Sequence, residues 1–193
     1  MFKLKGAEIG GQRGKLCKGK FRVRLLAIKA KESTNKKAKT QGDDVSIVEF
    51  KVLEAIGPQE AIVHKHLNQS VNFQPVEPGM KRSWSMNMKN DASAGNLLAF
   101  LAAVAGIDPS DTKAFNGAHD AEKDAPVDWD EFYEFAAGPE NPFGGEDGLE
   151  LFVETDGKIT EDGFMFVTHD WAPVEGAAQL FPPKDGEKSK AAA

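Results

Sequence analysis

Residues 18–31 read Lys18-Gly19-Lys20-Phe21-Arg22-Val23-Arg24-Leu25-Leu26-Ala27-Ile28-Lys29-Ala30-Lys31. Phe21, Val23, Leu25 and Ala27 alternate with Arg22, Arg24, Leu26 and Ile28. A period of two predicts a strand with one apolar face and one face that begins basic. The following residues, Glu32 to Asp43, are polar and rich in turn formers, with Lys36, Lys37 and Lys39 among them. That composition predicts a loop projecting into water. From Asp44 to Ala55 the alternation resumes: Val48, Phe50 and Val52 point inward, Glu49 and Lys51 outward. The two strands form a long hairpin with a basic tip.

Further along, Gly57-Pro58, Asn68, Asn72, Pro75 and Pro78-Gly79 interrupt any pattern and predict an extended connection from Ile56 to Pro78. A third strand reads from about Met80 to Lys89. Its Arg82, Trp84, Met86 and Met88 share one face, and Lys81, Ser83, Ser85, Asn87 and Lys89 share the other. The period then changes to that of a helix. Leu97, Leu98, Leu101, Val104 and Ala105 recur every three or four residues, with Asp91 or Ser93 as N-cap and Gly106 and Pro109 beyond the end. A second, short helix is predicted over Asp128–Phe135, where Asp128 and Glu131 have capping-box spacing and Gly138-Pro139 stops it. Two strands close the chain: Leu149, Leu151 and Val153 alternate with Glu150, Phe152 and Glu154, then Asp156-Gly157 opens a turn before Gly163–His169. The tail after Trp171 is expected to be mobile.

Strand, strand, strand, helix, strand, strand is the order of the OB-fold, a five-stranded Greek-key barrel with strands two and three on its nucleic-acid face. The chain therefore reads as mainly β with α. It is one OB-fold domain over residues 1–171, with an acidic helical insertion at about 107–147 and a flexible tail over 172–193.

Charge is laid down very unevenly. Through Thr40 there are thirteen Lys and Arg against two Glu, a net +11; the remainder carries eleven against twenty-eight Asp and Glu, a net −17. A net charge of −6 therefore hides a strongly cationic first fifth, which suits phosphate binding. The loop Lys36-Lys37-Ala38-Lys39 falls in the connection between strands one and two, and Arg22, Arg24, Lys51, Lys81 and Lys89 fall on the outer sheet. Asp108 to Asp162 holds seventeen Asp and Glu against three Lys. Those acids, Asp120, Glu122 and Asp124 among them, either keep the protein soluble or compete with a polyanion for the basic face.

Other classes find little support. No apolar run approaches the roughly 20 residues that cross a bilayer, and the first residues lack a signal-peptide stretch, so a cytoplasmic protein is expected. Cys17 is the sole cysteine, and His64 and His66 have no nearby Cys or further His to complete a zinc site. Gly14 to Phe21 nearly matches a phosphate loop, but Phe21 stands where Ser or Thr binds magnesium, and a strand pattern follows. There is no Gly-x-Ser-x-Gly elbow and no calcium-loop spacing. No enzyme, metal or cofactor is expected.

Four stretches carry a resemblance: Lys18–Val23, Val45–Leu53, Pro78–Trp84 and Asn96–Ala103. In pattern and order they resemble OB-fold single-stranded DNA-binding proteins of tailed bacteriophages, over about residues 15–170. The resemblance implies a protein that coats exposed single-stranded DNA during phage replication or recombination, largely without sequence preference and without catalysis. Replication or recombination proteins and a second copy of the chain in a homo-oligomer are candidate partners, while the sequence carries no signature of oligomeric state. Bacterial relatives of that kind often end in an acidic tip with a terminal Phe, whereas this chain ends in Lys188-Ser189-Lys190 and three alanines. The residues expected at DNA are Lys20, Arg22, Arg24, Lys29, Lys31, Lys36, Lys37, Lys39, Lys51, Lys81, Arg82 and Lys89 for phosphates. Phe152 and Trp171 are the expected exposed stacking surfaces, with Trp84 second to them because its face is apolar. A virion structural or protein-interaction module on the same barrel is the alternative.

Overall fold

Among the described residues five strands and three helices form: β1 (Lys18–Glu32), β2 (Asp44–Glu60), β3 (Lys81–Asn87), α1 (Asp91–Val104), α2 (Thr112–His119), α3 (Trp129–Ala136), β4 (Glu150–Ile159) and β5 (Met165–Pro173), of which α2 stands where the sequence predicts no separate helix. The computed structural model describes residues 16–32, 44–62, 75–89, 91–119, 127–159 and 165–174. All pairings are antiparallel, in the order β3-β2-β1-β4-β5.

In a flat sheet, β3 and β5 would lie about 19 Å apart, four strand spacings. Instead Trp84 on β3 reaches His169 and Trp171 on β5, with ring centroids 5.0 and 5.7 Å away. The sheet thus curls until its outer strands meet through side chains, and α1 packs against both of them. Inside lie Phe21, Val23 and Leu25 of β1, Val48, Phe50 and Val52 of β2, and Leu151 and Val153 of β4. Phe100, Leu101 and Val104 of α1 join them. The fold is mainly β and barrel-like.

The curl has a local cause in β1. Regular alternation would keep Ala27 inside and Ile28 outside, yet Ile28 is buried and Ala27 is not. The β1–β2 register shifts between Leu25 and Ala27. Such a bulge inserts one residue, swaps the faces beyond it and sharpens the twist. The Leu26 carbonyl, turned out of the ladder, accepts from the Gly145 N–H at 3.0 Å and the Asn141 side-chain amide at 2.7 Å. The loop after α3 therefore docks on the bulge. Its approach needs glycine: a Cβ on Gly148 would stand 2.1 Å from the Leu25 carbonyl oxygen.

Asp128 caps α3, accepting from the N–H groups of Asp130 and Glu131. Three boundaries differ from the sequence expectation. β2 continues to Glu60, where the Gln59 amide pairs with both backbone groups of Val76. Asp156-Gly157 is not a turn, because β4 passes through it to Ile159. β5 extends through Trp171 to Pro173, past the expected start of the tail. Residues 175–193 lie outside the described residues.

Candidate nucleic-acid interface

The face of the sheet turned away from the core gathers Lys20, Arg22, Arg24, Lys29, Lys31, Lys51, Lys81 and Phe152. Strand register makes this possible, since these residues alternate with buried ones on β1 as far as Ile28 and on β2, β3 and β4, and Lys29 and Lys31 follow in the exposed end of β1. One row crosses four strands: Lys81 opposes Lys51, Lys51 opposes Arg24, and Arg24 opposes Glu150. Lys81 is exposed and Lys51 half-buried. Among the described residues, neither has a carboxylate partner. Like charges directly opposite on neighbouring strands repel, so this row is eased by any anion laid across it.

The cations of β1 are in a different state. Glu150 accepts from Arg22 Nε at 2.8 Å and Nη2 at 2.5 Å, and from Arg24 Nη2 at 2.5 Å. Arg24 Nη1 also donates to the Glu146 carbonyl at 2.8 Å. Lys20 lies 3.9 Å from Glu154, Lys18 2.6 Å from Asp156, and Lys29 2.7 Å from Glu49 on β2. Hydrogen bonds from Arg24 and then Arg22 hold the Glu150 carboxyl below its usual range, against the opposing pull of burial. Asp156 is likewise lowered, first by its bond from Lys18. The last strand of the acidic block therefore lies against the basic strand. Asp120, Glu122 and Asp124, for which the sequence left competition and solubility both open, lie outside the described residues.

The aromatic expectations need correction. Trp171 is not a platform past the last strand; it lies within β5, 3% exposed, edge-on to Phe50 and Phe100 at 5.6 and 5.0 Å. Trp84 is buried beside it and cannot stack on a base. Phe152 is on the outer face, half-buried between its cross-strand neighbours Arg22 and Ala172. Sequence reasoning missed Phe166. It is 55% exposed on the outer face of β5, opposite Lys158. The signal was its alternation with Met165 and Val167, hidden by the run Phe164-Met165-Phe166-Val167.

Arg82 shares the inward register of Trp84 and donates to the Lys81 carbonyl at 2.9 Å and the Met80 sulfur at 3.2 Å. It therefore leaves the outer face. Lys89 lies exposed just beyond β3, its N–H bonded to the Asn87 side chain at 3.0 Å. Lys36, Lys37 and Lys39 lie outside the described residues, as do His64 and His66. Cys17 donates its thiol to Gln59 at 3.1 Å, and burial raises its pKa.

Away from the cations, α1 and α3 border an open cleft of about 530 Å³, lined by Leu97, Leu98, Leu101, Trp129 and Tyr133 with Asp128 and Asp130. Among the described residues, no His, Cys, Asp and Glu cluster is arranged to hold a metal, and no helix is long and apolar enough to cross a membrane. Compared with protein-family models and with curated proteins, the chain has no match.

Proposed function

We propose that this chain binds single-stranded DNA on the outer face of an OB-like barrel, coating exposed strands during phage replication or recombination in the host cytoplasm. The observation that carries it is the row Lys81–Lys51–Arg24 across β3, β2 and β1, in which two lysines face each other with no described carboxylate between them. Strands two and three are where OB-folds receive nucleic acid. The five-strand order and the meeting of β3 with β5 through Trp84 and His169 suit a partly open barrel of that kind. Phe152, opposite Arg22, offers bases a surface beside the cations, each stacked base being worth roughly 1–3 kcal/mol, while Phe166 lies apart from them, opposite Lys158. No catalysis is proposed.

Substituting Lys51→Ala and Lys81→Ala together tests the row. Oligo-dT binding weakens, and the slope of log K against log salt falls by about 1.4, roughly 0.7 for each lost phosphate contact. An unchanged slope removes the row from the interface.

A further inference from the structure

We propose that Glu150 sets how tightly this face holds a nucleic-acid strand, because its carboxylate occupies the two β1 guanidiniums that a phosphate would otherwise take. The proposal rests on the nucleic-acid function above and names the device that limits it.

Glu150 is the point at which the cationic row stops. Arg24 has Lys51 on one side and Glu150 on the other. Each Glu150 oxygen is engaged by a different arginine: Oε2 takes Nε and Nη2 of Arg22, and Oε1 takes Nη2 of Arg24. These are charge-assisted bonds of the kind guanidinium otherwise makes to phosphate. One carboxylate thus faces two cations and cancels one of the two charges.

Along β4 the same arrangement repeats. Glu154 lies against Lys20 and Asp156 against Lys18. Alternate residues of a strand stand about 6.6–6.8 Å apart, close to the spacing of successive phosphates in an extended single strand. Glu154 and Asp156 keep that spacing, while Phe152 stands between Glu150 and Glu154, so β4 offers β1 a series of anions with one gap. The three differ in enclosure: the Glu150 side chain is 23% exposed, that of Glu154 65% and that of Asp156 70%. Water screens the outer two, so Glu150 is the strongest competitor.

Exchange requires no change of fold. The β1–β4 ladder is held by backbone bonds, and Glu150 gives way by rotating its own side chain. A strand crossing Lys81 and Lys51 then gains Arg24 and Arg22 only at the expense of Glu150. Asp170 supplies a comparison. It is exposed on the same face of β5, opposite Glu154, and pairs with no cation among the described residues.

The test compares the full chain with its Glu150→Gln, Glu154→Gln and Asp170→Asn variants, titrating labelled oligo-dT by anisotropy at about 50 and 300 mM salt. A thermal melt of each checks the fold. Glu150→Gln is expected to tighten binding roughly 5–10-fold at the lower salt and to steepen the salt slope by about 0.7, as one more phosphate contact is gained. Glu154→Gln gains less in the same direction, and Asp170→Asn less than about twofold by general charge alone. If Glu150→Gln gains no more than Asp170→Asn while the wild type binds, this inference fails and the proposed function stands. If none of the four binds at low salt, both fail. Should Glu150→Gln not fold, Glu154→Gln decides by the same comparison: a gain above Asp170→Asn upholds competition by β4, and an equal one overturns it.

Discussion

At the scale of single residues, ionisation of two β4 carboxylates is tied to folding. Glu150 and Asp156 have pKa values below their ordinary ones because Arg24 and Lys18, first among their partners, stabilise the charged forms. The unfolded chain then binds protons more readily than the folded one, so stability rises with pH across the window between the two values. The contribution is complete above the ordinary carboxylate range, about pH 4–5, and is lost as pH falls through the depressed folded values. Melting followed from pH 7 downward should show the wild type losing stability faster in that window than Glu150→Gln. Equal losses would contradict the coupling. Trp171 belongs to the interior by the same scale of argument. Trp171→Ala should cost about 3–5 kcal/mol in denaturant unfolding, the usual cost of emptying an aromatic core site. A loss under about 1 kcal/mol would mean the indole is not packed as described.

Elements show what the sequence made legible. Period-two runs with Phe21, Phe50 and Leu151 inward produced β1, β2 and β4, and the leucine spacing at Leu97 and Leu101 produced α1, because burial of one face dictates each pattern. Asp128 at the head of α3 was visible through its spacing to Glu131, and Asp128→Ala should lower stability by about 1 kcal/mol. Besides α2 (Thr112–His119), three things were not visible. The bulge after Leu25 depends on a carbonyl bond to Gly145, 119 positions away, so no local window contains it. Asp156-Gly157 has turn chemistry, yet the β4–β5 ladder carries it through as strand. Trp171 follows the polar Thr168-His169-Asp170, and only the pairing of Val153 with Trp171 turns it inward. Of the candidate site, the cations of β1 to β3 were legible from alternation, but their partners on β4 were not, since partner strands are fixed by topology. Gly148→Ala tests the docked loop: overpacking against Leu25 should cost about 1–3 kcal/mol. A neutral result would show the loop free to move away.

On the whole molecule, the outer face is mostly cationic on one side and mostly anionic on the other. β1, β2 and β3 contribute Lys29, Lys31, Arg24, Lys51 and Lys81, with Glu49 and Glu54 of β2 among them, while Glu150, Glu154, Asp156 and Asp170 stand on β4 and β5 with Lys158. The chain's −6 net charge therefore opposes nonspecific attraction of polyanions, and the cationic side restores it locally. Among the described residues the outer face offers bases the flat surfaces of Phe152 and Phe166, which suits a single strand. The most direct measurement is a paired titration of labelled oligo-dT and a duplex of equal length at about 50 and 300 mM salt. Tighter binding of the single strand at both salts, with affinity falling as salt rises, is the predicted result. Equal binding of the two, or no binding of either at the lower salt, would contradict it.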